Sequence, residues 1–528
     1  MRCYDAVVIG AGPNGLVAAN LLADAGWNVL VAEAAAEPGG AVRSAQITAE
    51  GFDTDLCSAF YPMAAASPVF TALELHRYDL RWLHARDVLA HIFPDDEAAV
   101  LSRNVERTAA SVARFAADDA QAWRDELVLW QRIGEPLLEA LLSPCPPVRG
   151  TVSLLRRITA AETIRLLRRF LLSARRFGRE TFSGDGARIL LAGNAVHSDL
   201  GPDDAAGALF GWLLTMLGQT VGFPVPEGGA VRITEALVRR LTDRSGTVEC
   251  GREITSILVR DGRGVGVRDA HGEQIRVTRA VLADVPAPTL YRRLIGEEHL
   301  PARLIHDLQH FEWDDGTVKV DWALSGPIPW SNPIASGAGT VHLGVDMNGL
   351  AVYHTQLRNG VLPERPFVLM GQMSTTDPSR SPPGTEAVWA YTHVPRDLEW
   401  TVDRRERFAD RIQAVVERHA PGFTGRILGR AIQSPIELEQ HNAALVGGAI
   451  NQGTTALHQQ LIFRPTPGLG RADTPVDRVF LAGASAHPGG AVHGAPGANA
   501  ARAALAREGT WGGVYRTAIQ ALQQTLMR

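Results

Sequence analysis

Lysine is almost missing from this chain: of 52 basic residues in 528, only Lys319 is a lysine and the rest are arginine. Cysteine is scarce too. Cys3, Cys57, Cys145 and Cys250 lie far apart and form no C-x-x-C pair, which argues against a disulfide framework, a zinc or other metal site and a redox-active dithiol. Neither charge sign dominates, with 52 basic against 57 acidic residues, so the chain as a whole has no nucleic-acid footprint. Little sequence precedes the first apolar strand, which begins within five residues of Met1. That leaves no room for a signal peptide and sets a cytoplasmic location as the expectation. Charge is absent altogether from residues 205–225. Their length approaches a bilayer span, yet Gly207, Gly211, Gly218, Gln219 and Gly222 make them less apolar than a spanning helix. A buried helix lining an apolar cavity is expected instead. Asn194, His197 and Asp199 lie just before it, placed to project into such a cavity, although a satisfied structural histidine is the plainer meaning of His197.

What the chain does contain is concentrated at its two ends. Residues 4–9 form a short apolar, β-branched run of the kind that makes a buried parallel strand. Gly10, Gly12 and Gly15, with Pro13 and Asn14 between the last two, supply G-x-G-x-x-G, and residues 16–25 read as a helix rich in Ala and Leu. The first glycine permits a tight turn, the second lets backbone approach a pyrophosphate, and the third lets helix pack closely on strand. The helix N-terminus offers unpaired N–H groups to phosphates. A second strand over 28–32 ends at Glu33, where a carboxylate accepts ribose hydroxyls. Strand, helix, second strand and acid agree on a dinucleotide site, a unit that NAD and FAD share.

Gly39-Gly40-Ala41-Val42-Arg43 separates the two cofactors. Directly after Glu33, this GGxxR resembles the second fingerprint of FAD-binding oxidoreductases of the amine oxidase and phytoene desaturase superfamily. The resemblance implies that Gly39 and Gly40 pass close to the flavin's diphosphate and that Arg43 holds the loop. Near the other end, residues 478–483 read as a strand ending in Gly483. Ala484, Ser485, Ala486 and the run His487-Pro488-Gly489-Gly490-Ala491-Val492-His493-Gly494-Ala495-Pro496-Gly497 follow, and then a helix over 498–507. This run is similar to the carboxyl-terminal flavin motif of phytoene desaturase-like proteins, the subgroup of carotenoid desaturases and ketolases and pyridine nucleotide-disulphide oxidoreductase domain 2 proteins. Gly483, Ala484, Gly489, Gly490, Ala491 and Val492 are then expected along the ribityl chain, diphosphate and N1/O2 edge of FAD. There, backbone N–H groups and a helix dipole stabilise negative charge. By the same resemblance Ile254 offers its backbone to the adenine.

The implied fold is α/β: a GxGxxG Rossmann-like FAD-binding domain interleaved with an α+β substrate domain. The FAD-binding part is expected from residues 1–75, 223–300 and 476–510, the substrate part from 76–222 and 301–475, and a helical tail from 511–528. Residues 104–142 carry helical periodicity. Over 151–183, Arg157, Arg165, Arg168, Arg169, Arg175, Arg176 and Arg179 fall on one arc at 100° per residue, with Leu and Phe opposite. Such a basic amphipathic face suits either peripheral contact with anionic lipid or an ordinary surface helix. Residues 301–475 have more strand character, and Lys319 sits in the first of their strands. In flavin amine oxidases a lysine on a similarly placed strand holds a water over flavin N5, which makes Lys319 the catalytic candidate. The alternative is a lysine that reaches solvent or pairs with Asp321.

No second strand–GxGxxG–helix unit exists, since Gly262, Gly264 and Gly266 lack the spacing. Without a nicotinamide domain or a dithiol, the organic substrate itself is expected to reduce the flavin, and oxygen or a quinone to reoxidise it. The expectation is dehydrogenation of a C–C bond in an apolar small molecule, carotenoid- or lipid-like. An amine or alcohol oxidase on the same fold, or a flavin-binding scaffold without turnover, remains the alternative.

Overall fold

A computed structural model describes residues 2–527. The strand Cys3–Ile9 is buried over its last four residues, as an interior parallel strand requires. It lies between Gln274–Ala283 and Val29–Ala32, parallel to both. Val479–Leu481 adds in parallel to the far side of Gln274–Ala283, and Thr247–Glu249 to the far side of Val29–Ala32. The antiparallel strands Ile254–Arg260 and Arg263–Asp269 complete a seven-stranded sheet. Segments nearly five hundred residues apart therefore share one sheet, and the carboxyl ends of its parallel strands lie together.

Small residues decide how the helices cover it. Pro13–Asp24 packs against both Ala495–Glu508 and Val231–Thr242. At Gly497 a Cβ would stand 1.9 Å from the Asn14 carbonyl oxygen, so only glycine lets these two helices meet. Arg240, on the third helix, is buried and donates to Asp24, the Asn20 side chain and the Leu73 carbonyl.

A second seven-stranded sheet runs in the order Ile427–Gln433, Gly316–Leu324, Glu386–Val394, Val368–Gln372, Ala338–Leu343, Asp87–Ile92, Ala98–Leu101. The last two strands come from the first excursion out of the nucleotide fold and the others from the second. They join through the parallel pairing of Ala338–Leu343 with Asp87–Ile92.

Helices over 105–220 pack on one face of this sheet. Residues 151–183 are not one basic helix. Chain turns split them among Val148–Arg157, Ala160–Leu171 and Ala174–Thr181. Thr159 starts the second with a reciprocal capping box to Glu162, and the Ser173 hydroxyl caps the third. These local side-chain bonds to the first-turn N–H groups outcompete a continuous helix. The single arc of arginines is thereby broken, and Arg157, Arg168, Arg169, Arg175 and Arg176 pair with Glu135, Glu180, Glu126, Asp203 and Glu180. Among the described residues no helix is long and apolar enough to cross a membrane. The tail helix Gly512–Leu526 docks on its own chain, through Tyr515 to Asp473 and Gln523 to the Asp473 carbonyl.

Candidate active site

A cavity of about 740 Å³ lies between the carboxyl edge of the first sheet and one face of the second. All the residues expected to contact the cofactor line it, apart from Gly15, Gly39, Gly483 and Gly489. Those four shape the backbone behind the wall. A Cβ on Gly15 would stand 2.2 Å from the Gly10 carbonyl oxygen, and one on Gly483 would stand 2.6 Å from that of Val285. The Gly39 N–H donates to the Ala11 carbonyl, while Gly489, at φ +117°, lies against the Arg464 guanidinium. Gly40 brings the two amino-terminal fingerprints into contact, since its Cβ would be 3.1 Å from the Gly12 Cα.

Glu33 accepts from the backbone N–H groups of Ala11 and Ala35, at 2.6 and 2.9 Å. The acid thus braces the first glycine turn while its carboxylate remains on the cavity wall. Arg43 donates to the His441 carbonyl, tying the GGxxR loop to the second excursion. From the carboxyl-terminal motif, a Cβ on Gly490 would be 2.4 Å from Asn451 Oδ1, and Ala491 sits at φ +72°. A non-glycine residue held there is strained backbone on the wall of a site. Arg464 anchors this turn: fully buried, it donates to the carbonyls of Asn451, Gly453, Thr454 and Ala484. Burial pulls its guanidinium down to about 10.

Asp284, at the end of the strand Gln274–Ala283 and not among the residues singled out from the sequence, is a site residue in the structure. Its Oδ2 accepts from the Gly15 N–H at 2.8 Å and lies 2.6 Å from where a Gly12 Cβ would be. Burial pushes its carboxyl up to about 7, against the smaller opposing effect of the Gly15 N–H. The invitation to a polar ligand is explicit. Asn14 Oδ1, Asn451 Nδ2, Gln452 Oε1 and His487 Nδ1 are buried without partners, and all four residues line the cavity. Buried polar groups are ordinarily paired, and a dinucleotide laid over the glycine turns would meet these.

Lys319 is placed differently from its candidate catalytic role. Its side chain does not line the cavity; the ammonium pairs with Asp321, and both are buried. Residues two apart on a strand share a face, and burying a charge demands a partner. The pairing alternative therefore describes its geometry.

Beyond the nucleotide end the wall turns apolar. Helix Gly207–Thr220 contributes Leu209, Phe210, Leu213 and Leu214, as expected of the uncharged stretch, and Phe60, Met63, Leu141, Leu142 and Phe223 join them. His197 reaches this wall. Asn194 does not, because it bonds the Leu190 carbonyl and Thr215, and Asp199 is turned to Thr454. Trp389 and Tyr391, stacked with centroids 5.8 Å apart, also line the cavity, as does Thr340. Tyr391 Oη lies 3.2 Å from His197 Nδ1, and His197 Nε2 lies 2.9 Å from His342 Nε2. Burial, with the neighbouring His393, holds His197 down at about 3. Of these, His197 was singled out from the sequence, but Thr340, Trp389 and Tyr391 were not, because alternation marks a strand without saying what its inner face meets.

Comparison with known proteins agrees with this geometry. The model of the flavin containing amine oxidoreductase family matches residues 14–505. Pyridine nucleotide-disulfide oxidoreductase domain-containing protein 2 of Rattus norvegicus is 28% identical over 94% of this chain and 92% of its own. The neurosporene-forming phytoene desaturase of Rhodobacter capsulatus is 24% identical over 92% and 91%. An oxidoreductase of Methanosarcina mazei shares the fold at a TM-score of 0.62, with 16% identity over 95% of this chain and 99% of that one. The chain therefore belongs to the flavin-containing amine oxidoreductase family, an FAD-dependent oxidoreductase whose two glycine-rich motifs meet at one cavity.

Proposed function

We propose that this enzyme dehydrogenates a C–C bond of an apolar, lipid- or carotenoid-like molecule. The observation that carries the reading is the distribution of charge on the cavity wall. Every charged side chain there (Glu33, Glu37, Arg43, Glu253, Asp284 and Arg293) comes from the nucleotide-binding segments. The two excursions contribute none. A charged substrate would be desolvated there without a partner, at a cost of several kcal/mol, whereas an apolar one gains about 25 cal/mol per Å² buried.

When bound, FAD would supply a two-electron acceptor for the hydride leaving one carbon, a proton being lost from its neighbour. The protein's part is to place and to exclude. Gly10, Gly12 and Gly40 would give the diphosphate a backbone-walled groove, Glu33 would hold the ribose, and Gly490, Ala491 and Val492 would present backbone to the far end of the cofactor. The leucine and phenylalanine wall keeps water from the reacting carbons. Lys319, if it acts toward the flavin, does so from its pair with Asp321. Oxygen or a quinone serves as final acceptor.

An amine or alcohol oxidase is the second reading, supported by the stacked Trp389–Tyr391 pair. Anaerobic mixing decides between them. Bleaching of the flavin by a lipid extract but not by amines supports dehydrogenation of a lipophile, and the reverse retires it. Mass spectrometry of a copurified ligand would name the substrate.

The reading includes a cytoplasmic site of action with peripheral contact to anionic membrane, from which a lipophile would be drawn. Two features support it: all four cysteines are free, and Val148, Val152, Leu155, Ile164, Leu167 and Leu171 are exposed on the first two helices of the arginine-rich region.

A further inference from the structure

A polar cluster on the second sheet interrupts the apolar wall, on strands that carry neither glycine-rich motif. Thr340 lines the cavity, is 1% exposed, and its hydroxyl has no hydrogen-bond partner. It pairs across the second sheet with Gly371, which pairs with Trp389. The next row of the same face is His342, Leu369 and Tyr391. Gly371 has no side chain, and the Trp389 indole fills the space, 2.4 Å from where a Cβ would be. The register thus sets Thr340 and Tyr391 on one surface, with Trp389 between them and His342 behind.

The Tyr391 hydroxyl has one protein partner, His197 Nδ1. His197 in turn faces His342 Nε2 to Nε2, so one of those two nitrogens carries the shared hydrogen. If His342 carries it, His197 donates from Nδ1 to Tyr391, whose own hydrogen is free for a ligand carbonyl. If His197 carries it, Nδ1 accepts from Tyr391, whose oxygen is left to accept from a ligand hydroxyl. Neither arrangement creates a charge. Burial drives both imidazoles toward the neutral form, His197 to about 3 and His342 well below the ordinary histidine value. His91, whose ring lies edge-on 6.1 Å from that of His342, is held at about 4 for the same reason. With no cation and no carboxylate contributed by the excursions, neither a carboxylate nor an ammonium finds a counter-charge here.

We propose that Thr340 and Tyr391, the latter held by the His197–His342 pair, form a subsite for a neutral oxygen function, hydroxyl or carbonyl, on an otherwise apolar substrate. The inference rests on the reading of the cavity as the substrate chamber of this flavoenzyme, and it narrows that substrate from any apolar molecule to an oxygenated one. The unpartnered Thr340 hydroxyl is the clearest sign. A buried hydroxyl left unmatched is unfavourable, and a valine of the same shape would fill the position if packing alone were served.

The test measures equilibrium binding to the FAD-loaded protein of four probes of one shape: octan-2-one, octan-2-ol, octan-2-amine and 2-methyloct-1-ene. Binding is read by flavin absorbance under anaerobic conditions and independently by tryptophan fluorescence. The ketone and the alcohol should bind about tenfold tighter than the alkene, and tighter than the amine. Tyr391→Phe and Thr340→Val should each remove most of that preference, and Thr340→Val should leave Tm unchanged or raise it. Equal binding of ketone and alkene, preference for the amine, or a preference that survives both substitutions overturns the subsite. A fall in Tm of several degrees in Thr340→Val would make the hydroxyl structural and overturn its part. Failure of a lipid extract to bleach the flavin, with the ketone preference present and lost in the variants, sinks the dehydrogenase reading and leaves the subsite standing. Bleaching without the preference does the opposite.

Discussion

Asp284 and Lys319 are both ionisable groups, the first half-buried on the cavity wall and the second buried and paired with Asp321 away from it. Asp284 is held protonated up to about 7, against 3.8 for a free carboxyl. As pH rises between those values the unfolded chain releases a proton that the folded chain keeps. Stability therefore falls across that window, by about 4 kcal/mol. Asp284→Asn retains an acceptor for the Gly15 N–H and removes the titration. Its urea midpoint should exceed the parent's by more at pH 8 than at pH 4.5, and equal differences at the two pH values would refute the assignment. Lys319→Met leaves the Asp321 carboxylate buried and unpaired, which should destabilise the fold by about 3 kcal/mol. Adding Asp321→Asn should recover most of the loss. If the double variant is stable and still reduces its flavin at the parental rate, the lysine is structural; a rate lowered more than tenfold restores its flavin-facing role.

At the scale of elements, close approach is the governing fact. Gly497→Ala places a methyl where the Asn14 carbonyl oxygen lies, so helices Pro13–Asp24 and Ala495–Glu508 must separate. Overpacking of this kind costs about 1–3 kcal/mol, and here it also moves both glycine motifs. The purified variant should show a lower ratio of 450 nm to 280 nm absorbance as well as a lower Tm. The surface helices Val148–Arg157 and Ala160–Leu171 make the opposite case: Leu154, Leu166 and Phe170 pack on the core, while Leu167 and Leu171 stay exposed. Sedimentation with anionic vesicles at low salt should carry the protein down, and Leu167→Glu with Leu171→Glu should abolish it. Parent protein remaining in the supernatant would reject membrane contact. The elements themselves were unequally legible. The strand Cys3–Ile9 and the helix after it follow from glycines whose constraints are local. The strands Asp87–Ile92 and Ala98–Leu101 were not anticipated, because the sheet that justifies them is completed by Ala338–Leu343, some 250 residues later. The break of 151–183 into three helices was written in Thr159, Glu162 and Ser173, but periodicity counting overrides caps unless each is read separately.

For the whole molecule, two sheets close on one cavity lined by segments from both ends of the chain, which FAD would bridge when bound. Binding to the folded state alone should add about 2.7 kcal/mol of stability at a hundredfold excess of FAD over its Kd. Removing the cofactor should therefore lower Tm reversibly, and re-addition should restore both colour and Tm. An apoprotein with an unchanged melting curve would contradict the arrangement. By itself the sequence determined a dinucleotide fold, because a glycine's missing side chain and a carboxylate at a strand end are demands of local backbone geometry, whereas FAD rather than NAD followed from the resemblance that the GGxxR loop and the carboxyl-terminal glycine run carry. It also marked the charge-free residues 205–225 as a helix on an apolar cavity, and helix Gly207–Thr220, buried over most of its length, lines it. Only the tertiary structure decided that Asp284 is a site residue, that Lys319 is spent on Asp321, and that Thr340, Tyr391 and His197 share a wall. Those facts depend on which strands pair and in what register, and burial and charge partners exist only once distant segments have met.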